Sequence, residues 1–285
     1  MRNILFVMVF SIFALSVAAQ EEKVEPLKGK NGQLILPESG DIGLGVNMIP
    51  FFNWFGNAFN NNANNQFADD NKFFTTFGNQ VLMGKYFLSD KSAIRVNFGF
   101  NVNSVTNRIY VQDDASNDPL DMVTDTWKND NGRYTIALGY EMRRGKGRIQ
   151  GYFGGDLMLN YTNNANTYSY GNGHSSTNII PTANNFGNNL DNNKRVLDNS
   201  GNSSFGIGLR GFVGVEYFVA PKISLGCEFG WGVMVNNTFK STISSEYYEV
   251  ASGEVMIQNT EEAGNTAVNA GVDNLNGAVF MMFYF

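Results

Sequence analysis

One histidine, His174, stands beside Ser175 and Ser176 in this 285-residue chain. A serine next to a positioned imidazole is the minimum for nucleophilic acyl chemistry, with Asp191 or Asp198 as the orienting carboxylate. No nucleophile elbow surrounds these serines, and Gly171, Asn172 and Gly173 put the histidine on a flexible stretch rather than a rigid strand. His174 therefore reads as a solvated loop side chain, and no catalytic residue is assigned. Asp113, Asp114, Asp118, Asp121, Asp125 and Asp130 supply oxygen ligands of the kind calcium takes. The EF-hand spacing is missing, so the cluster reads as a solvated acidic loop, and no metal or cofactor is assigned. A single cysteine, Cys227, excludes intramolecular disulfides and cysteine-based zinc sites. Phe51, Phe52, Trp54, Phe55 and Phe59 form an aromatic patch with two readings: a girdle at a membrane surface, or a seat for a partner protein, glycan or lipid tail.

The elements carrying these residues have a period of two. Ile94, Val96, Phe98, Phe100 and Val102 alternate with Arg95, Asn97, Gly99, Asn101 and Asn103, which makes a strand with one apolar and one polar face. The same alternation runs through Ile42 to Met48, Tyr134 to Met142, Phe205 to Tyr217 and Ile223 to Val235, and more loosely through Ile149 to Tyr161. The phase of Phe74 to Leu88 is ambiguous, and Leu275 to Phe285 turns apolar on both faces near its end. About eight strands result, most of them long enough to cross a bilayer at the tilt of a barrel. Cys227 falls on the apolar face, where a thiol behaves as a small inert hydrophobe.

Connections alternate between short and long. Ser89 to Ser92, Gly145 to Gly147 and Ala220 to Lys222 are short and rich in turn residues. Residues 49–72, 108–132, 162–204 and 240–271 are long and hold most of the Asn, Asp, Ser and Thr. A soluble sandwich has no reason to place every long loop at one end, whereas an outer-membrane barrel does, with short periplasmic turns and long outside loops. An even strand number then puts both termini in the periplasm. Residues 1–19, with Arg2 before an apolar run and Val17-Ala18-Ala19 at its end, read as a cleaved signal peptide. Residues 20–40 read as a polar tether, and 41–285 as the barrel domain.

Val279, Met281, Phe283 and the terminal Phe285 alternate to an aromatic carboxyl end that resembles the assembly signal of outer-membrane barrels, Phe283 and Phe285 being the residues the insertion machinery would read. A weak repeat relates Lys85-Tyr86-Phe87-Leu88-Ser89-Asp90-Lys91-Ser92-Ala93-Ile94 to Glu216-Tyr217-Phe218-Val219-Ala220-Pro221-Lys222-Ile223-Ser224-Leu225, with the tyrosines at the membrane surface. Together with Gly40 to Val46, these segments resemble the small outer-membrane β-barrel proteins of Bacteroides-like bacteria, with an architecture similar to OmpA-type eight-stranded barrels. The resemblance implies an all-β, antiparallel transmembrane barrel. It implies no activity, and no periplasmic domain follows the last strand.

Eight strands leave an interior that side chains fill. Phase places Arg95, Glu141, Arg143, Asp156, Arg210, Glu216 and Glu228 inside, where unpaired charges are costly. An ion-pair network is therefore expected, for example Asp156 with Arg210 or Arg210 with Glu228, in preference to an ion pathway lined by these groups. The composition agrees. The chain is 43% hydrophobic and only 16% charged, against roughly 25% in soluble proteins, with 31 glycines, 40 asparagines and a mean hydropathy of -0.21. The net charge of -6 argues against nucleic acid as a partner. The expected role is a non-catalytic structural or surface-exposed barrel, an accessory subunit of an outer-membrane complex whose partners are lipid and other membrane proteins met through the long loops. The alternatives are a narrow pore or a conduit for small hydrophobic molecules, and, last, a lipid-modifying barrel enzyme.

Overall fold

The computed structural model describes residues 26–48, 81–145, 147–188 and 194–285, the side chains of 81 and 273–278 apart. The expected signal peptide, the Phe51 to Phe59 aromatics and Asp191 lie outside these residues. The strands are β1 (Ile42–Asn47), β2 (Val81–Ser89), β3 (Ser92–Gln112), β4 (Met122–Arg144), β5 (Ile149–Ser169), β6 (Arg195–Ala220), β7 (Ile223–Thr238), β8 (Ser241–Glu249), β9 (Glu254–Glu262) and β10 (Asn265–Tyr284). Eight of them close a ring in the order β1-β2-β3-β4-β5-β6-β7-β10, with β10 returning to β1, and every pairing is antiparallel. The remaining two, β8 and β9, form a hairpin outside the ring. The first residues of β6, Arg195 to Ser200, pair with β8, whereas β6 pairs with β7 only from Ser204 onward.

The outward face is the apolar one. Leu44, Val96, Val102, Leu138 and Leu209 are 56%, 41%, 65%, 47% and 64% exposed, which in water would be a large unpartnered patch and in a bilayer is the lipid contact. Aromatic residues mark its two margins. Phe100, Tyr134, Tyr161 and Phe205 lie opposite one another on four neighbouring strands. At the other margin Tyr86, Tyr140 and Tyr217 point outward, so the two repeated hairpins do place equivalent tyrosines at the surface. Cys227 is also outward.

β3, β4, β5 and β6 are 21, 23, 21 and 26 residues long, about twice the 9–11 needed to cross a bilayer. The loops expected over 108–132, 162–204 and 240–271 are therefore shorter than their sequence suggests. The first shrinks to Asp113–Asp121, the second to 170–194, and the third becomes the β8–β9 hairpin and the start of β10. Apolar alternation ends near Val102 because the lipid ends there. Backbone pairing continues to Gln112 opposite Met122, with Ser104, Thr106 and Arg108 facing water.

The segment expected as a polar tether is, over 26–40, folded against the turn end of the barrel. Lys28 bridges Leu34, the Ile35 N–H donates to Leu27 O at 2.9 Å, and the Lys222 N–H donates to Ile35 O at 3.0 Å. Ile35 is 2% exposed and belongs to one core cluster with Phe87, Phe218, Met282 and Tyr284. Lys222 also pairs with Asp41. A polar average over twenty residues conceals this one apolar anchor.

Candidate functional site: the barrel lumen and its loop end

Strand parity turns Arg95, Glu141, Arg143, Asp156, Arg210, Glu216 and Glu228 inward, and all seven are buried. The structure brings them together in two joined layers with an eighth charge, Lys85. In the layer nearer the turns, Lys85 Nζ lies 2.9 Å from Glu141 and 2.8 Å from Glu216. Arg143 Nε donates to Glu141 Oε1 at 2.7 Å and its terminal nitrogen pairs with Glu216. The Tyr284 hydroxyl donates to Glu216 Oε2 at 2.8 Å.

In the layer above, the Arg95 fork reaches Glu228 at 2.7 and 3.1 Å, and its Nε lies 3.3 Å from Asp156. Arg210 joins Asp156 at 2.9 Å and Glu228 at 2.8 Å. Arg95 to Glu141, at 3.6 Å, links the layers. Among the described residues four cations thus meet four carboxylates, and each carboxylate meets at least two cations. Pairing of every charge is what makes their burial tolerable, since an unpaired buried charge costs several kcal/mol, about 3–5 when one partner of a buried pair is removed.

Aromatic rings fill the space around the charges. Arg95 lies over the Phe212 ring at 4.0 Å, Lys85 over Tyr152 at 4.7 Å, and Arg143 over Phe87 at 4.9 Å. Such contacts add about 1–2 kcal/mol each when desolvated. Two inward glycines make room: a Cβ at Gly214 would strike the Tyr152 ring, and one at Gly226 the Phe280 ring. Above the charges, Met158 and Met234 pack with Ala137 from three different strands and are 0% and 5% exposed. Ile35 and the aromatics below, two ionic layers, and a methionine layer thus succeed one another along the lumen.

Above the methionines the inward face is polar, and by register Arg133, opposite Asn101 and Thr162, shares it. Thr135 Oγ1 donates to Asn160 Oδ1 at 3.3 Å, and Thr162 and Ser204 share a hydroxyl contact of 2.6 Å. Asn129 donates to Asn166 at 2.7 Å, Asn166 to Asn164 at 2.9 Å, Asn164 to Asn131, and Asn131 back to Asn129. Each amide in this closed ring of four donates once and accepts once, so the amides polarise one another without any charge. The indole N–H of Trp127 donates to Asn166 at 2.9 Å, and Trp127, Tyr168 and Phe186 pack ring on ring.

At the loop end the acidic residues serve as hydrogen-bond acceptors. Asp125 accepts from Gly171 N–H at 2.9 Å and Asn184 N–H at 2.7 Å. Asp114 accepts from Asn178 at 2.6 Å and Thr182 N–H at 2.7 Å. Burial raises the Asp114 carboxyl, but these bonds outweigh it and hold the group below the ordinary aspartate value. Arg195 pairs with Glu246 at 2.6 Å and donates to Asn172 O at 2.8 Å, tying the 170–188 segment to β8. That segment is held by the β3–β4 connection rather than hanging free. Among the described residues no three metal-ligating side chains converge.

The imidazole of His174 is not bonded to a serine. Its Nδ1–H donates to Ile179 O at 3.1 Å, while the Ser175 hydroxyl contacts Thr177 and accepts from Asn178 N–H. Burial pushes the His174 pKa below its ordinary value, which keeps the ring neutral. Phe283 and Phe285 lie on the outer face, 37% and 73% exposed, whereas Tyr284 between them points inward. Lys85 escaped the sequence reading because the phase of 74–88 is ambiguous. Its place two residues before inward Phe87, and opposite Arg95 in register, is the signal that reveals it.

A closed ring of eight antiparallel strands, apolar outside and ionic within, defines a membrane β-barrel. The chain matches the model of the putative OmpA-OmpF-like porin family over residues 70–236, more than half its length, and belongs to that family. It is a β-barrel protein of the outer membrane. It is also similar to a crystal structure of the outer membrane protein OprG from Pseudomonas aeruginosa, with 14% identity and a TM-score of 0.35 over 88% of this chain and 98% of that one. No curated protein matches the sequence.

Proposed function

We propose that this protein is a non-catalytic, non-conducting barrel that presents a structured loop end at the cell surface, as a structural protein or an accessory subunit of an outer-membrane complex. Within its family it sits with the small barrels of Bacteroides-like bacteria. In this reading residues 1–19 route the chain out of the cytoplasm, the insertion machinery reads Phe283 and Phe285, both termini lie in the periplasm, and lipid and partner membrane proteins are its neighbours. The supporting observation is the paired ionic group centred on Arg95, which spans the lumen beneath the Met158 and Met234 layer. An ion entering would have to displace saturated pairs. Planar-bilayer recording of the purified protein tests this: a silent or only flickering bilayer is expected, and large steady conductance would reject the closed barrel.

The second reading is a narrow pore or a conduit for small hydrophobic molecules. The family's description as porin-like favours it, as does the polar inner face above the methionines. The same recording separates the ion-conducting pore from the first reading, and uptake of a small hydrophobic dye by liposomes carrying the protein tests the conduit.

A further inference from the structure

We propose that the outer edge of β9 is a docking strand for an extended, lysine- or arginine-bearing segment of a partner protein. The inference rests on the reading of the loop end as the working surface and names the partner's chemistry. Natural sheets protect their edges with proline, lysine, a bulge or a cover, because an open edge offers unpaired N–H and C=O groups to any passing strand. Among the described residues β9 has none of these. It pairs with β8 over nine consecutive residues without a register shift, and among the described residues its other edge pairs with nothing. Its sequence, Glu-Val-Met-Ile-Gln-Asn-Thr-Glu-Glu, contains neither proline nor lysine. Val255, Met256 and Ile257 are 44%, 40% and 64% exposed, so the edge carries three consecutive apolar residues into water.

The hairpin is also held in place. β8 is hydrogen-bonded to the start of β6, Arg195 pairs with Glu246, and Lys194 donates to Gln258 at 2.6 Å. β9 is thus the last strand of a sheet that continues the barrel wall through β4, β5, β6 and β8. A preformed edge spares an incoming segment half the ordering cost of making a new sheet, and strand addition is a recurrent mode of recognition.

Charge selects the occupant. Glu254, Glu261 and Glu262 lie on β9 itself, with Lys240 meeting Glu261. The described residues of 103–133, 162–204 and 236–272 hold twelve carboxylates against six cations. A second copy of this chain is a poor fit. Antiparallel self-pairing over all nine residues sets Glu254 opposite Glu262, and like charges directly opposed destabilise a sheet. A basic extended segment meets complementary charge on arrival and apolar contacts along the edge.

The test uses the full-length protein in detergent micelles with three labelled nonapeptides read by fluorescence anisotropy. One alternates Lys with Val and Thr, the second carries Glu in place of Lys, and the third keeps the Lys residues but has two prolines, which preserve charge and forbid strand pairing. The Lys peptide should bind at least ten-fold more tightly than either of the others. The double change Val255→Lys and Ile257→Lys should weaken it at least ten-fold while heat-modifiable gel migration, a readout of the folded barrel, stays intact. Glu254→Lys with Glu262→Lys should reverse the preference towards the Glu peptide. Equal binding of the proline peptide, no binding to wild type, indifference to the edge changes, or concentration-dependent dimerisation abolished by the lysines would each overturn the proposal. A conducting barrel with normal peptide binding would fail only the closed-lumen reading, and a silent barrel with no peptide binding would fail only this one.

Discussion

Replacing Arg95 with methionine removes a side chain that touches three of the four carboxylates of the described luminal network. Its fork holds Glu228 at 2.7 and 3.1 Å, its Nε lies 3.3 Å from Asp156, and Glu141 is 3.6 Å away. Without it three cations face four carboxylates, and Arg210 alone must serve both Asp156 and Glu228. Breaking a buried pair by removing one partner costs about 3–5 kcal/mol, and losing the guanidinium over Phe212 at 4.0 Å adds about 1. A loss of about 4–6 kcal/mol is therefore expected. With a urea slope of about 2 kcal/mol/M, the unfolding midpoint should fall by about 2–3 M. The fraction of heat-modifiable barrel after incubation in graded urea measures it. The double change Arg95→Met with Glu228→Gln restores neutrality and should recover about half of the loss, because the largest part is an uncompensated charge rather than a cavity. A midpoint within about 0.5 M of wild type, or about 1 kcal/mol, would refute the view that the luminal charges must remain balanced.

Ile35→Ala should cost about 2–4 kcal/mol, since Ile35 is 2% exposed in the core at the turn end. It should also release residues 26–40 to limited proteolysis, which barrel residues resist. Gly154→Ala should cost about 1–3 kcal/mol by overpacking: its Cβ would lie 2.7 Å from Phe212 and 3.0 Å from the Tyr140 carbonyl carbon, which is backbone and cannot swing away. Asp114 makes the contact between the two connections pH-dependent. Its folded pKa lies below the unfolded value, so the contact is fully present above the ordinary aspartate range and is lost as pH falls through the lower folded value. The Thr182 amide, which donates to Asp114 at 2.7 Å, should shift in NMR spectra below about pH 4. Asp114→Asn should abolish that step, and a step that persists in the variant would assign it to another carboxylate.

Much of the barrel is legible in the chain because a bilayer imposes period two on every strand that crosses it. That period assigns Arg95, Asp156 and Glu228 to the inner face without reference to any neighbour. It reads poorly where the lipid stops. The upper halves of β3 to β6 alternate polar with polar and resemble loop, and only their pairing, such as Arg108 opposite Thr126, makes them strand. Short segments read poorly for another reason. Lys85 lies on a stretch whose apolar residues fall on both faces, and Ile35 lies in the run Leu34-Ile35-Leu36, too short to show a period.

Sequence alone determined two-faced strands, their approximate number, the turns at one end, and most of the charged set of the interior, Lys85 excepted, because each follows from local alternation and turn chemistry. Tertiary structure decided which charges meet, since Arg95 and Glu228 are 133 residues apart and become partners only when the ring closes. Tertiary structure also decided that the charged layers stack along the lumen, that β8 and β9 leave the ring as a hairpin, and that among the described residues one edge of β9 is unpaired. Those outcomes depend on the register between distant strands and on the space that side chains compete for, and neither quantity is a property of any one segment.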